Sequence, residues 1–144
     1  MGRLWFCGII STMKQKSPLL FEKESYLIRG AVFEVYKHFR NTQKEVVYRN
    51  ALAEELKKRV LDIEVEKRIP VSYRGRTVGT YIPDLVVNEE ICIELKAKPF
   101  LHKEDKEQFW HYLKNSKFRL GFLVNFGAAR GVEIIRRVYD SARK

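Results

Sequence analysis

Apolar residues recur at helical spacing twice in the first half of the chain, which predicts two amphipathic helices. The first helix is predicted over residues 24–39, where the apolar positions are Ile28, Val32, Val35 and Phe39. The polar stretch "RNTQK" then interrupts the pattern. The second helix is predicted over residues 43–60, with a stripe formed by Tyr48, Leu52, Leu56 and Arg59. Each stripe should face the core of the protein.

The second half of the chain is dominated by β-like runs. Residues 62–87 read as two strands around the turn signal "YRGR", and a second tight turn at Asn88 leads into the strand "ICIELKAK". A polar helix follows over residues 102–117, then the buried strand "FRLGFLVNFG" and a last strand or strand-like tail, "VEIIRRVYD". The order α-α-β-β-β-α-β-β predicts an α/β fold with a mixed central sheet, flanking helices and a helical crossover.

The charge of the chain adds to this picture. The sequence contains 28 basic and 18 acidic residues, which give a formal net charge of +10. Such an excess favours a polyanionic partner, most commonly nucleic acid. No apolar run approaches the roughly 18 residues that a membrane span needs. The apolar patch near the start lacks a signal-peptide cleavage site, so we expect a cytoplasmic protein. We also expect a poorly ordered N-terminal extension over residues 1–20 and one domain over residues 21–144.

Cysteine and histidine usage indicates neither a disulfide framework nor a zinc site. The two cysteines, Cys7 and Cys92, are too few for such a framework, and no CxxC or HxxxH spacing occurs. Cys92 lies inside a β-like run, so we expect it to be a small buried side chain. The three histidines, His38, His102 and His111, are scattered, so we expect core or surface roles for them.

Three charged residues interrupt the apolar runs of "PDLVVNEEICIELKAK": Asp84, Glu94 and Lys96. Side chains alternate along a strand, so Glu94 and Lys96 share one face. A hairpin about Asn88 would place Asp84 roughly opposite Glu94, with both projecting to the same side. Adjacent carboxylates raise each other's pKa unless a cation lies between them. A hard divalent ion with oxygen ligands suits such a place.

Lys96 admits two interpretations. Beside a divalent ion, its ammonium could orient or deprotonate an attacking water, or neutralise charge on a phosphate oxygen. Alternatively, Lys96 forms an ordinary cross-strand ion pair with Asp84 or Glu94 on an open face of the sheet. The pattern of one Asp followed by Glu-x-Lys is short and common, so both interpretations remain open at this point.

Three more residues are candidates for the same site. Glu45 lies on the apolar stripe of the second helix and could face the sheet. It could instead complete a capping box with Thr42, in which its carboxylate bonds back to a backbone amide. Gln108 and Tyr112 lie one helical turn apart on the third helix, where they could support the lysine or a phosphate, or simply pack.

These residues, in this order, resemble the PD-(D/E)XK nuclease superfamily and, more closely, its bacterial GxxExxY branch. The resemblance covers most of the chain, from about Tyr26 to Val138, and the matching stretches are "EVVYRNALAEEL", "YIPDLVVNEEICIELKA", "QFWHYLKNSKFRLGFLVNFG" and "IIRRVY". One departure is Thr42, which stands where the GxxExxY motif has glycine. A threonine there can cap the helix instead.

The resemblance implies a restriction-endonuclease-like core that hydrolyses phosphodiester bonds, most simply in DNA. Mg²⁺ or Mn²⁺ would be held by Asp84, Glu94 and the Leu95 carbonyl, with Glu45 as a further ligand. Lys96 would be the catalytic lysine, and the supporting residues would be Gln108 and Tyr112. A metal-activated water would make an in-line attack on phosphorus.

Two other functions remain compatible with the sequence. The first is a catalytically inactive nucleic-acid-binding or regulatory module, because the superfamily includes members that have lost catalysis. The second is a protein-interaction domain, in which Trp110 and Phe100 would form a contact patch. A domain this small offers little surface for reading sequence, so a homodimer or a larger protein partner is also expected.

Overall fold

The computed structural model of the protein describes residues 20–139. Nearly all of the predicted N-terminal extension, including Cys7, lies outside these described residues.

Both predicted amphipathic helices are present, with slightly different ends. Helix α1 spans Glu22–Phe39 and helix α2 spans Glu45–Lys58. Their apolar stripes face inward, and the side chains with no exposed surface include Ile28, Val32, Tyr48, Leu52 and Leu56. Among the described residues, no helix has both the length and the apolar character that a membrane span requires.

The strands form one mixed sheet and one separate hairpin. The remaining elements are β1 (Ile63–Val65), β2 (Ile69–Tyr73), β3 (Arg76–Tyr81), β4 (Leu85–Val87), β5 (Ile91–Lys96), α3 (Lys103–Lys114), β6 (Leu120–Asn125) and β7 (Glu133–Val138). The five-stranded sheet has the order β1-β4-β5-β6-β7. Strands β5 and β6 are parallel and joined through α3, and the other neighbours are antiparallel. The predicted mixed sheet with a helical crossover is therefore confirmed.

The predicted pair of strands around "YRGR" is present as β2 and β3, but residues 62–87 form four strands and not two. A left-handed residue, Glu66, with φ of 51°, ends β1 and turns the chain away from the sheet. Strands β2 and β3 then pair only with each other as a two-stranded sheet. Pro83 separates β3 from β4, and proline has no N–H group with which to continue the ladder. The true element order is α-α-β-β-β-β-β-α-β-β.

The two faces of the main sheet are covered by different helices. Helices α1 and α2 pack on the face that carries Leu85, Val87, Ile91, Ile93 and Leu95. Helix α3 packs on the opposite face through Phe109 and Leu113, which contact a cluster containing Val86, Cys92 and Leu123. Cys92 is buried, as predicted. Because side chains alternate along β5, Glu94 and Lys96 continue the Cys92 face beyond the end of this apolar cluster.

Candidate active site

Asp84 and Glu94 lie side by side at one end of the main sheet. In the antiparallel pair β4–β5, Leu85 stands opposite Ile93, so Asp84, which immediately precedes β4, stands opposite Glu94. The Oδ2 atom of Asp84 accepts a hydrogen bond of 2.8 Å from the backbone N–H of Leu95. This bond fixes the Asp84 carboxylate against β5, next to the Glu94 side chain.

The surroundings disfavour the charged form of both carboxyl groups. Burial, followed by the negative charge of Asp84, raises the pKa of Glu94 to about 7. The charge of Lys96 and a hydrogen bond from the Asp84 backbone amide act in the opposite direction. Burial also raises the pKa of Asp84. The hydrogen bond from Leu95 and the positive charges of Arg49 and Lys96 lower this pKa but do not cancel the rise. Two half-buried carboxyl groups are thus held together without enough positive charge to balance them.

Lys96 lies close enough to act electrostatically on this pair but does not form an ion pair with it. Its ammonium opposes the rise in pKa of three carboxyl groups: Glu45, Asp84 and Glu94. Among residues 20–139, no carboxylate oxygen lies within ion-pairing distance of Lys96. The interpretation of Lys96 as an ordinary cross-strand ion pair is therefore wrong in this arrangement. The half-buried ammonium remains available to a ligand.

Glu45 begins α2 but does not form the capping box. The residue before the helix is Lys44, without a side-chain cap, and the Thr42 hydroxyl donates instead to the carbonyl of Phe39 at 2.7 Å. The positive φ of this loop is at Arg40, so Thr42 adopts its place without the conformation that favours glycine. The Glu45 side chain is exposed, yet partial burial and then the Asp84 charge raise its pKa. Glu45 therefore lies at the edge of the site.

Tyr48 anchors the loop that leads to Glu45. Its hydroxyl donates to the carbonyl of Arg40 and accepts a 3.1 Å hydrogen bond from the backbone N–H of Gln43. Its buried ring stacks on Phe126, with the ring centres 4.3 Å apart. Phe126 directly follows β6, so one side chain joins the start of α2 to the end of the central strands.

The two predicted supporting residues of α3 are placed differently. The ring of Tyr112 stacks on Tyr81 at 4.1 Å, and the Tyr81 hydroxyl donates a long hydrogen bond of 3.5 Å to Oε1 of Glu94. Tyr112 therefore reaches the site through Tyr81, which the sequence did not single out. The Gln108 side chain is exposed and makes no hydrogen bond with any of the residues described. The structure does not bring Gln108 to the carboxylates.

Comparison with known families identifies this arrangement. A family model described as the PD-(D/E)XK nuclease superfamily matches residues 22–138, which include every residue of the site. The chain belongs to the PD-(D/E)XK nuclease superfamily. Nucleases of this superfamily act on the phosphodiester bonds of nucleic acids and generally use divalent metals. Searches among curated proteins and among solved structures found no significant match.

The segment after the PD-(D/E)XK motif lysine is held by Asn125, a residue without a predicted role. Asn125 is fully buried. Its oxygen accepts from the amides of Lys98 and Gly127 at 3.0 and 3.1 Å, and its nitrogen donates to the Lys98 carbonyl and Glu133 at 2.9 and 2.8 Å. Every polar atom of the amide is used. The side chain ties the end of β6 to the chain just beyond Lys96.

Two cations near the motif were also missed. Arg49 lies one helical turn after Glu45, lowers the pKa of Glu45 and Asp84, and pairs with Glu66 at 3.2 Å. The Lys98 ammonium is 2.8 Å from Asp105 at the start of α3 and acts electrostatically on Glu45. Sequence spacing could have indicated both cations, because Arg49 lies four residues after Glu45 and Lys98 lies four residues after Glu94.

The donor set of this PD-(D/E)XK site fits a hard cation that keeps most of its own water. Asp84 and Glu94 offer adjacent carboxylate oxygens, and Leu95 is next to them with a backbone carbonyl. Across residues 20–139, no three side chains among His, Cys, Asp and Glu converge as a complete metal cage. Mg²⁺ commonly takes only one or two protein carboxylates and completes its shell with water and phosphate oxygens. Two adjacent carboxylates are sufficient for such an ion. Glu45 does not converge with them as a third side-chain ligand.

Proposed function

We propose that the protein is a divalent-metal-dependent deoxyribonuclease whose reactive groups are Asp84, Glu94 and Lys96. The observation that carries this proposal is the adjacency of two carboxyl groups with raised pKa values, beside an ammonium that forms no ion pair with any carboxylate of residues 20–139. A structural role alone would favour direct pairing of these opposite charges. A site that must receive both a cation and a phosphate instead needs each charge available.

Each residue has a distinct role in the proposed hydrolysis. When bound, Mg²⁺ or Mn²⁺ would offset negative charge on the phosphate and acidify a water. Asp84 and Glu94 would hold the ion, and the Leu95 amide keeps the Asp84 carboxylate in position. Lys96 would orient the attacking water or stabilise the charge that develops on the phosphorus oxygens. Its compact ammonium on a flexible stem suits either role.

The surrounding residues would position these groups. Glu45 would contact the ion through a water, because its carboxylate lies near Asp84 at the exposed edge of the site. Tyr112 would support Glu94 through the ring and hydroxyl of Tyr81. The charge of +10 would bring a polyanion to the site at a rate that falls as salt concentration rises.

The activity is tested by incubating the purified full chain with supercoiled plasmid and with labelled single-stranded DNA and RNA. Cleavage is expected with Mg²⁺ or Mn²⁺ and not with EDTA. Asp84→Asn and Lys96→Ala should each lower the rate by at least about 100-fold, a typical loss when a reacting group is removed. Glu34→Gln, on the exposed side of α1, should cut at the wild-type rate. A preparation that cuts none of these substrates, or equal rates for all variants, would contradict the proposal.

One alternative is a nucleic-acid-binding module without catalysis, because within residues 20–139 no third His, Cys, Asp or Glu side chain joins the two carboxylates in a metal cage. This alternative predicts salt-sensitive binding to DNA but no ion in the site. Calorimetric titration of the wild type and of Asp84→Asn with Mn²⁺ separates the two functions. Heat of binding that disappears in the variant favours the nuclease, and the same small heat from both proteins favours the binding module.

A further inference from the structure

The β2–β3 hairpin, residues 67–81, leaves the main sheet at the candidate active site. We call this segment the β2–β3 arm. Strands β1 and β4 pair up to Val65 and Leu85, and the backbone N–H of Glu66 then donates to the carbonyl of Asp84 at 3.0 Å. The arm is therefore an insertion whose two ends meet beside the Asp84 backbone. A ligand held at the base of the arm would lie next to the site.

The charge of the arm has one sign. Its ionisable side chains include Lys67, Arg68, Arg74 and Arg76, and it contains no aspartate or glutamate. Lys67 pairs with Glu64 at 3.0 Å. Within the described part of the chain, no carboxylate lies within ion-pairing distance of the three arginines. Elsewhere the surface mixes both signs, as on α1 with its Glu22, Glu24 and Glu34.

The arm extends away from the body of the protein. Ile69 and Tyr81, at its base, pack on the core, whereas every residue from Ser72 to Thr80 is exposed. Tyr73 and Val78 are 60% and 64% exposed, and the Arg74 guanidinium lies over the Tyr73 ring at 5.3 Å. These exposed side chains are accessible to a ligand that lies along the arm.

The tip of the arm carries an arginine where the backbone favours another residue. Arg74 and Gly75 form the two-residue turn, with φ of 49° and 79°, and positive φ at both positions is the pattern of a type I′ turn. Asparagine adopts the first position more easily than arginine does. The turn presents the Arg74 guanidinium at the exposed tip of the arm, where it is accessible to a ligand.

We propose that the β2–β3 arm enters the major groove of duplex DNA and holds the duplex against the Asp84–Glu94 site. A two-stranded β-ribbon fits the major groove of B-form DNA, which is about 12 Å wide. The major groove of A-form RNA is deep and too narrow for side chains to read. Arg68, Arg74 and Arg76 would contact phosphates, and Tyr73 would lie against the groove wall. Duplex DNA would then be the substrate of the proposed nuclease. Cleavage of the duplex rests on the proposed function, whereas binding of the duplex by the arm does not.

The binding is measured by fluorescence anisotropy in EDTA, so that no cleavage occurs, with labelled duplex DNA, duplex RNA and single-stranded DNA. The test variant replaces Arg68, Arg74 and Arg76 by serine. Its affinity for duplex DNA should fall by at least about tenfold at moderate salt, and the slope of log K against log salt should become shallower by roughly 2 to 3. Its affinity for duplex RNA should change much less. Replacing the same three arginines by lysine should preserve the salt slope.

The matched control replaces three exposed basic residues of α1, Lys23, Arg29 and Lys37, by serine. Helix α1 packs on the opposite face of the sheet from Ile69, so this variant loses the same charge far from the arm. Equal losses of affinity in both triple variants would overturn the assignment. It would also fall if the wild type bound none of the three nucleic acids, or if the arm variant lost duplex DNA and duplex RNA equally.

The result is independent of the nuclease test. A wild type that binds duplex DNA through the arm but cuts nothing would contradict the proposed function and support the arm as a DNA-binding element. A wild type that cuts DNA, with an arm variant that binds duplex DNA normally, would support the nuclease and overturn the role of the arm.

Discussion

At the scale of single residues, the site holds charge that the free protein does not balance. Asp84 and Glu94 repel each other, burial raises both of their pKa values, and Lys96 is too distant to form an ion pair with either of them. Such an arrangement lowers the stability of the free chain, because each carboxylate would be better solvated in the unfolded state. The same imbalance attracts a cation.

Replacing Glu94 by glutamine should therefore stabilise the metal-free protein at alkaline pH. The pKa of Glu94 rises from 4.5 to about 7 on folding, so the wild type loses stability as pH increases through this window. The loss should be on the order of 1 to 3 kcal/mol, since each pKa unit corresponds to about 1.4 kcal/mol. Glu94→Gln should lack the loss and be the more stable protein at pH 8. Urea denaturation in EDTA from pH 4 to 8 measures the difference.

The control for this measurement is Glu34→Gln, which should follow the wild-type curve because Glu34 is an exposed residue of α1. A constant difference between wild type and Glu94→Gln across the whole pH range would contradict the assignment. That outcome would mean that Glu94 titrates alike in the folded and unfolded chains.

Alternation along the strands was enough to predict which charged residues meet. It placed Glu94 and Lys96 on one face and Asp84 opposite Glu94, because these relations are local to one pair of strands. It could not predict the role of Asn125, whose side chain on β6 makes three hydrogen bonds to Lys98 and Glu133. Contacts between elements that are distant in sequence leave no periodic signal.

At the scale of elements, the backbone segments that follow β5 and β6 approach each other closely just beyond Lys96. A side chain at Gly127 would place its Cβ 2.4 Å from the Lys98 nitrogen and 2.6 Å from the Ala97 carbonyl carbon. These are backbone atoms, which cannot move aside as a flexible side chain can. Glycine is required at Gly127 by this close approach of two backbones.

Gly127→Ala should destabilise the protein and weaken activity together. The methyl group must push the segment after Lys96 away from β6, which strains the backbone and weakens the hydrogen bonds of Asn125. We expect a loss of roughly 2 to 4 kcal/mol in the free energy of unfolding, as for other overpacked sites. Gly79→Ala is the control, because nothing lies within 4 Å of its Cβ and it should stay near wild-type stability. Equal stability of the two variants in urea denaturation would refute the close approach.

The strand pattern was insufficient to separate the β2–β3 arm from the main sheet. Residues 62–87 alternate almost continuously, and the breaks depend on the left-handed Glu66 and on Pro83. Pro83 was visible in the sequence as a break, but Glu66 was not, because glutamate rarely adopts positive φ. The helices were predicted well, since a sustained 3.6-residue period leaves few alternatives.

At the scale of the whole molecule, binding of an ion should stabilise the fold. A ligand that binds only the folded state raises the free energy of unfolding by about 2.7 kcal/mol when its concentration is a hundred times its Kd. Mn²⁺ should therefore raise the Tm of the wild type and of Glu34→Gln, but not of Asp84→Asn. The shift should disappear at pH 5, where the raised pKa of Glu94 keeps its carboxyl protonated. An equal shift in Asp84→Asn, measured by thermal denaturation, would place the ion elsewhere.

The family match covers residues 22–138, which agrees with a core built from α1 through β7. The mixed sheet and its crossover follow from rules of connection that hold for many sequences, so they were predictable. The positions of the charges around the site, such as those of Arg49 and Lys98, were not predictable in this way. They depend on how α2 and α3 pack against the sheet.

The meeting of the arm's two ends beside Asp84 makes that segment an exchangeable part. A stretch of chain that departs and returns at one point can be shortened, lengthened or swapped while the strands on either side keep their register. Under the proposed roles, changes confined to some fifteen neighbouring codons would redirect the protein to differently shaped nucleic acids. Asp84 and Glu94 would be inherited unchanged.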